Sequence, residues 1–102
     1  MTLILLSTLF EGEKYGYEIT KEISRLTNHE ILLKEGSLYP ALHKLEKEGL
    51  VESYWQQQEQ GKPNRKYYII TENGIKAVEE ERKKWSSFMG IMGRVIYGHQ
   101  NS

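Results

Sequence analysis

The apolar positions of this chain change their period along its length, and each change marks a structural element. From Thr2 to Phe10 nearly every residue is apolar. A helix there is greasy on most of its circumference, and such a helix is buried on more than one side. Gly12 falls in the turn that follows. From Tyr15 to Leu26 the apolar residues Ile19, Ile23 and Leu26 recur at i, i+4 and i+7, the stripe of an amphipathic helix, with Lys21, Ser24 and Arg25 facing away. Asn28 to Gly36 reads as a connector, with Ser37 as N-cap of a helix running to Glu48. Pro40 then lies in a first turn, where an N–H has no intrahelical partner to lose.

At about 100° per residue, Leu38, Leu42 and Leu45 share one face of that helix, with Ala41 at its margin. Pro40, His43, Lys44 and Lys47 fall opposite, and Tyr39 lies on the flank. A helix that only had to pack would not need this second cluster. Gly49 supplies the stop. Two runs rich in β-branched and aromatic residues follow, Leu50 to Gln57 and Arg65 to Thr71. The polar segment QEQGKPN lies between them, so the pair reads as a β-hairpin with a long loop. Thr71 caps a last helix, with Glu72 at its positive end. There Ile75, Val78, Arg82, Trp85, Met89, Met92 and Ile96 are spaced 3, 4, 3, 4, 3, 4, a heptad seam interrupted once by Arg82. Gly90 and Gly93 weaken the helix, and order is expected to fade beyond Ile96.

Composition narrows the function. The 102 residues make one domain with a modest core, and 38% hydrophobic content favours burial of some surface in a partner. Cysteine is absent, which excludes a disulfide scaffold and a cysteine-based zinc site. The longest apolar run, Leu3 to Leu6, is far too short for a membrane span, and no signal-peptide pattern opens the chain, so a cytoplasmic protein without membrane contact is expected. Catalysis is poorly provided for. Aspartate and cysteine are absent, the glutamates lie on helix surfaces, no Gly-rich phosphate loop precedes a helix, and His29, His43 and His99 are scattered without metal-ligand spacing. No enzyme activity, metal or cofactor is expected.

Net charge is zero, but its placement is uneven: between Gly61 and Tyr68 stand Lys62, Arg65 and Lys66 with no acid. Phosphates respond to charge within a Debye length of roughly 8 Å, so local density outweighs the sum. Three helices, a hairpin and a terminal helix make a mainly α fold with a small β-hairpin, a winged helix-turn-helix plus a C-terminal dimerisation helix. In that arrangement the polar face of the third helix enters the major groove and the basic loop follows the backbone or minor groove.

The segments YGYEI (Tyr15 to Ile19), GSLYPALHKLEKEGLV (Gly36 to Val51) and GKPNRKYYIITENG (Gly61 to Gly74) resemble the PadR family of winged-helix transcriptional regulators, and the likeness covers nearly the whole chain. The single short helix after the wing is similar to the smaller subfamily, which includes multidrug-sensing repressors. The resemblance implies residues 1–71 as DNA-binding unit and 72–102 as dimerisation helix and tail. It implies a homodimeric repressor released by a small molecule or another signal, dimerising through its first and last helices. A two-fold dimer sets its recognition helices about 34 Å apart, which calls for an inverted-repeat operator in double-stranded DNA.

The candidate residues follow. Tyr39 contacts phosphate or a base or sugar edge, or is a half-buried tyrosine against the preceding helix. Ser37, His43, Lys44 and Lys47 meet DNA or form a solvated face; the lysines suit phosphate better than bases, having no bidentate geometry. Lys62, Arg65 and Lys66 present charge outward from the wing with little packing purpose. Lys21 and Arg25 touch the backbone as their helix crosses it. Leu3, Leu6, Ile75, Val78, Arg82, Trp85, Met89 and Met92 are expected at the dimer interface. Trp85, flanked by Phe88 and Met89, either packs that interface or sandwiches a planar aromatic effector, as the multidrug-sensing resemblance implies. The competing reading is a winged-helix dimer that serves as a protein-interaction adaptor, its basic wing gripping an acidic partner.

Overall fold

The computed structural model describes residues 1–98. In chain order it has α1 (Thr2–Phe10), β1 (Lys14–Tyr15), α2 (Gly16–Leu26), α3 (Glu35–Lys47), β2 (Val51–Gln56), β3 (Arg65–Ile70) and α4 (Glu72–Ile96). Residues 99–102, and with them His99, lie outside the described part.

The core is assembled from one face of each element. Leu5, Leu6 and Leu9 of α1, Ile19 and Ile23 of α2, and Leu38, Leu42 and Leu45 of α3 close on Val51, Tyr68 and Val78, all at most 3% exposed. Thr8 shares the α1 interior by donating its hydroxyl to the Leu5 carbonyl at 2.7 Å, so its polar atom is satisfied. Leu26, expected to extend the α2 stripe, is instead 62% exposed, because the chain leaves the core at the helix end.

Both helix ends that frame the helix-turn-helix are closed by left-handed residues. After α2, Asn28 adopts φ 52°, its N–H reaching Arg25 O at 3.3 Å and that of His29 reaching Ser24 O at 2.7 Å. After α3, Gly49 (φ 76°) does the same through Glu46 O and Leu50 to Leu45 O, both at 3.0 Å. Each pair satisfies carbonyls the helix leaves open.

The sheet has three antiparallel strands in the order β1-β3-β2, one more than the hairpin expected. The extra strand pairs Lys14 with Tyr68 and Tyr15 with Tyr67. Lys14 also donates its ammonium to the Thr8 carbonyl at 2.7 Å, closing the end of α1.

Thr71 caps α4 as expected: its hydroxyl accepts from Gly74 N–H at 3.1 Å and donates to Gly49 O at 2.6 Å. The start of α4 is thereby fastened to the turn that leaves α3. Beyond Arg82 the helix runs away from the body, and its 25 residues, about 37 Å at 1.5 Å each, make up much of the molecule's long axis of 65 Å. No helix among the described residues is long and apolar enough to cross a membrane.

Candidate nucleic-acid interface

Helix α3 starts earlier than the sequence suggests. Its N-cap is Lys34, not Ser37, and no side chain caps it. Ser37 sits in the first turn, donating its N–H to Lys34 O at 3.0 Å. Pro40 therefore lies inside the helix rather than in its first turn. The carbonyl it deprives is that of Gly36, four residues back, and Gly36 is exposed, so water can take the lost bond. The division of faces is as the periodicity indicates: Leu38, Leu42 and Leu45 are buried, while Ser37, Tyr39, Pro40, His43, Lys44 and Lys47 are exposed.

Tyr39 packs against the preceding helix and still reaches solvent. Its ring lies on Gly16 at the start of α2, yet it stays 42% exposed. A Cβ on Gly16 would collide with the Tyr39 hydroxyl and stand 2.9 Å from its Cζ. The glycine of YGYEI is thus the seat of Tyr39. Gly16→Ala should push the ring aside. Because the displaced atoms are the tip of a side chain, stability should change by less than about 1 kcal/mol, while DNA affinity falls severalfold; thermal melts and a DNA titration of the same variant check both halves.

The wing departs from the picture of three outward cations. Lys62 stands at the tip, where Gly61 (φ 90°) turns the chain, with Glu59 3.7 Å away. Arg65 lies 4.5 Å from the centroid of Tyr15. Lys66 is on β3 and turns inward: its ammonium is 3.9 Å from Glu46 of α3 and within 5.8 Å of the Trp55 and Tyr68 ring centroids. Glu46 also accepts from the Ser53 hydroxyl, so one carboxylate ties α3 to both strands of the wing. Burial, then Glu46 and Tyr39, raises the Tyr68 phenol above its ordinary value, so it keeps its proton.

On the opposite side of the sheet Tyr15 meets Tyr67 edge-on at 5.4 Å and Tyr67 stacks on Tyr54 at 5.6 Å. The Tyr54 hydroxyl donates to Glu13 at 2.7 Å, which raises its pKa. This ladder stiffens the base from which the wing projects.

Between α3 and the wing lies an open cleft of about 460 Å³ whose lining includes Tyr39, His43, Trp55, Asn64, Arg65 and Lys66. The sequence points to Tyr39, His43, Arg65 and Lys66 among these but not to Trp55 or Asn64, nor to Gly16 and Glu46, which position them. Lys21 and Arg25 lie on exposed positions of α2: Lys21 sits 5.8 Å from the Tyr17 ring, and Arg25 is paired with Glu22 at 2.6 Å. That hydrogen bond holds the Glu22 carboxyl below the usual range.

Far from this face, the distal part of α4 exposes Trp85 (59%), Phe88 and Met89, with the Trp85 and Phe88 rings 6.0 Å apart. Arg82 rests on Phe10 of α1 at 4.5 Å. Leu3 and Ile75 are half-buried. Leu6, expected at the dimer interface from the apolar first helix, and Val78, assigned to the seam by periodicity, lie in the protomer's own core and offer no surface to a partner. Among the described residues no cluster of three or more metal-ligating side chains occurs.

Solved structures share this arrangement. A transcriptional regulator from Clostridium thermocellum superposes with a TM-score of 0.81 at 36% identity, covering 92% of this chain and 90% of the other. Bacillus subtilis PadR in complex with operator DNA gives 0.70 at 28% identity, covering 78% of this chain and 44% of that one. The transcriptional regulator YqjI of Escherichia coli K12 is 31% identical over 84 residues, 82% of this chain but 38% of YqjI. Residues 5–80 match the model of the transcriptional regulator PadR-like family. That span holds the seated Tyr39, the two-faced α3 and the whole wing, and the family's members are regulators rather than enzymes. With most of its length matched, from the buried leucines of α1 to the third turn of α4, this chain belongs to the PadR-like family of transcriptional regulators.

Proposed function

We propose that this protein is a cytoplasmic, homodimeric repressor that binds an inverted-repeat operator. Residues 1–71 form the DNA-binding unit and 72–102 the dimerisation helix and tail. The observation that carries the reading is one surface: the exposed face of α3 with Ser37, Tyr39, His43, Lys44 and Lys47 stands beside a wing carrying Lys62 and Arg65, across a single cleft. A helix in the major groove with a wing along the backbone uses that surface whole. The operator complex of Bacillus subtilis PadR supports the same use here.

Dimerisation is supported by the apolar residues that α4 leaves in solvent. Trp85, Phe88, Met89, Ile91, Val95 and Ile96 are each at least 48% exposed on one helix, a patch that a lone soluble domain rarely carries. A second α4 and the exposed side of α1 cover it. Arg82 then sits at the edge of the seam, where its contact with Phe10 holds α1 and α4 together.

The test is fluorescence anisotropy of the purified protein on the DNA just upstream of its own start codon, against a scrambled duplex and at two salt concentrations. Tight, sequence-dependent binding is expected. Equal, weak binding to both duplexes that disappears with salt would remove the operator reading.

Release comes from a planar aromatic effector held between the two copies of Trp85, with Phe88 and Met89 beside it. The near approach of Trp85 and Phe88 on one exposed stretch supports this. Planar aromatic compounds should quench tryptophan emission, and Trp85→Ala should lose about tenfold in affinity or more, the scale of one well-buried aromatic contact. Trp55, the second of the two tryptophans, is replaced in a parallel control. Undiminished binding by Trp85→Ala would refute the site.

A further inference from the structure

A helix in the major groove and a wing in the adjoining minor groove stand on either side of one sugar–phosphate strand, since that strand is what separates the grooves. In this protein the space between them is the cleft already described. Its walls are chemically unlike. His43, Asn64 and Lys66 supply polar groups that suit a phosphate, and the Tyr39 hydroxyl joins them. Trp55 supplies something else: a large flat apolar ring, 65% exposed, at a strand position directly across from Lys66.

That exposure has no packing explanation. The rest of the sheet's inner face is occupied, with Val51 and Tyr68 in the core and Ser53 bonded to Glu46. Trp55 stands out from it into the cleft, and the ammonium of Lys66 lies 5.8 Å from its ring centroid. Glu46 holds that ammonium at 3.9 Å, so one side of the indole meets an anchored cation while most of the residue stays open to the cleft.

We propose that Trp55 is a DNA-contacting residue whose free face stacks on a deoxyribose of the strand that runs through the cleft. The polar wall takes the adjacent phosphate. The proposal rests on the DNA-binding reading above and adds a contact that is apolar and carries no base sequence. Deoxyribose is the apolar part of the strand, and an indole beside it contributes affinity without displacing a counterion.

That last property gives the test its discrimination. The full-length parent, Trp55→Ala and Trp55→Phe are titrated by anisotropy against a mixed-sequence duplex of about two helical turns, over a series of salt concentrations. Because a sugar contact is blind to sequence, no operator is needed. Trp55→Ala should bind about fivefold more weakly or worse, the low end of what aromatic stacking on nucleic acid contributes. Its plot of log affinity against log salt should keep the parent's slope, and Trp55→Phe should recover most of the loss.

A Trp55→Ala variant that binds within error of the parent overturns the assignment. A loss accompanied by a shallower salt slope also overturns it, since it would mean that the change acted by disordering Lys66 and the wing's charge. The substituted side chain is exposed, so the variant should fold, and an unchanged thermal midpoint verifies this. A parent that binds neither this duplex nor the DNA upstream of its start codon would defeat the DNA-binding reading itself, an outcome distinct from the failure of Trp55 alone.

Discussion

Gly74→Ala should destabilise the protein by about 2 kcal/mol, which lowers the melting temperature of a domain this size by about 10 °C. Alanine is ordinarily the better helix residue by up to about 1 kcal/mol, so the expected sign is the reverse of what propensity dictates. The reason is a backbone contact. A Cβ at Gly74 would collide with the Leu50 carbonyl oxygen and stand 2.6 Å from Cγ1 of Ile70. The Leu50 carbonyl cannot yield cheaply, because it accepts the Thr71 N–H at 3.0 Å. Moving α4 instead would stretch the Gly74 N–H bond to the Thr71 hydroxyl and with it the link to Gly49. Gly36→Ala provides the contrast. A Cβ there meets nothing within 4 Å, and the change should leave stability level or raise it slightly. Thermal denaturation of the two variants side by side decides the matter; a Gly74→Ala protein as stable as the parent would show that α4 is not seated as described.

The second large effect concerns DNA. Replacing Lys62, Arg65 and Lys66 together by alanine should weaken binding about a hundredfold or more on every duplex and flatten its salt dependence by about one unit of slope for each cation that loses a phosphate. The three residues should not contribute alike. Lys62 is exposed at the loop tip beside a still more exposed Glu59, a pairing that costs little to exchange for phosphate. Lys66 must first leave Glu46 and the Trp55 ring. Single substitutions should therefore rank Lys62 above Lys66 in their effect on the salt slope. Unchanged binding by the triple variant would sink the assignment of the wing to DNA, and would favour an acidic protein partner for the wing's cations.

How much of this was readable in the sequence follows from the range of each interaction. The buried face of α3, the Gly49 stop, the two long strands and the Thr71 cap all depend on residues within a turn or two of one another, and all were legible. The start of α3 was misplaced because Ser37 and Pro40 together imitate a helix beginning, while the true N-cap, Lys34, has no capping side chain to announce it. The pairing of Lys66 with Glu46 joins residues on different elements and left no local mark. The heptad reading of α4 failed at Val78 for a different reason. A seam of period 3.5 records that residues are covered, not by whom, and at Val78 the cover is the protomer's own core. Gly16 shows the same limit, since its neighbour across the fold is Tyr39.

The short strand β1 carries a consequence for anyone who would re-engineer this protein. Its two residues are hydrogen-bonded to the wing, and Tyr15 is at the same time the N-cap of α2. Its amide is held there by Glu18 at 3.2 Å, and its ring supports Arg65. The wing is therefore not a detachable cassette. A specificity graft that transplanted only residues 51–70 from a relative would carry the donor's tyrosine partners onto a foreign edge and loosen the helix-turn-helix at its first residue. A transferable module must include residues 13–18 as well, two segments far apart in the chain that the fold has made into one part.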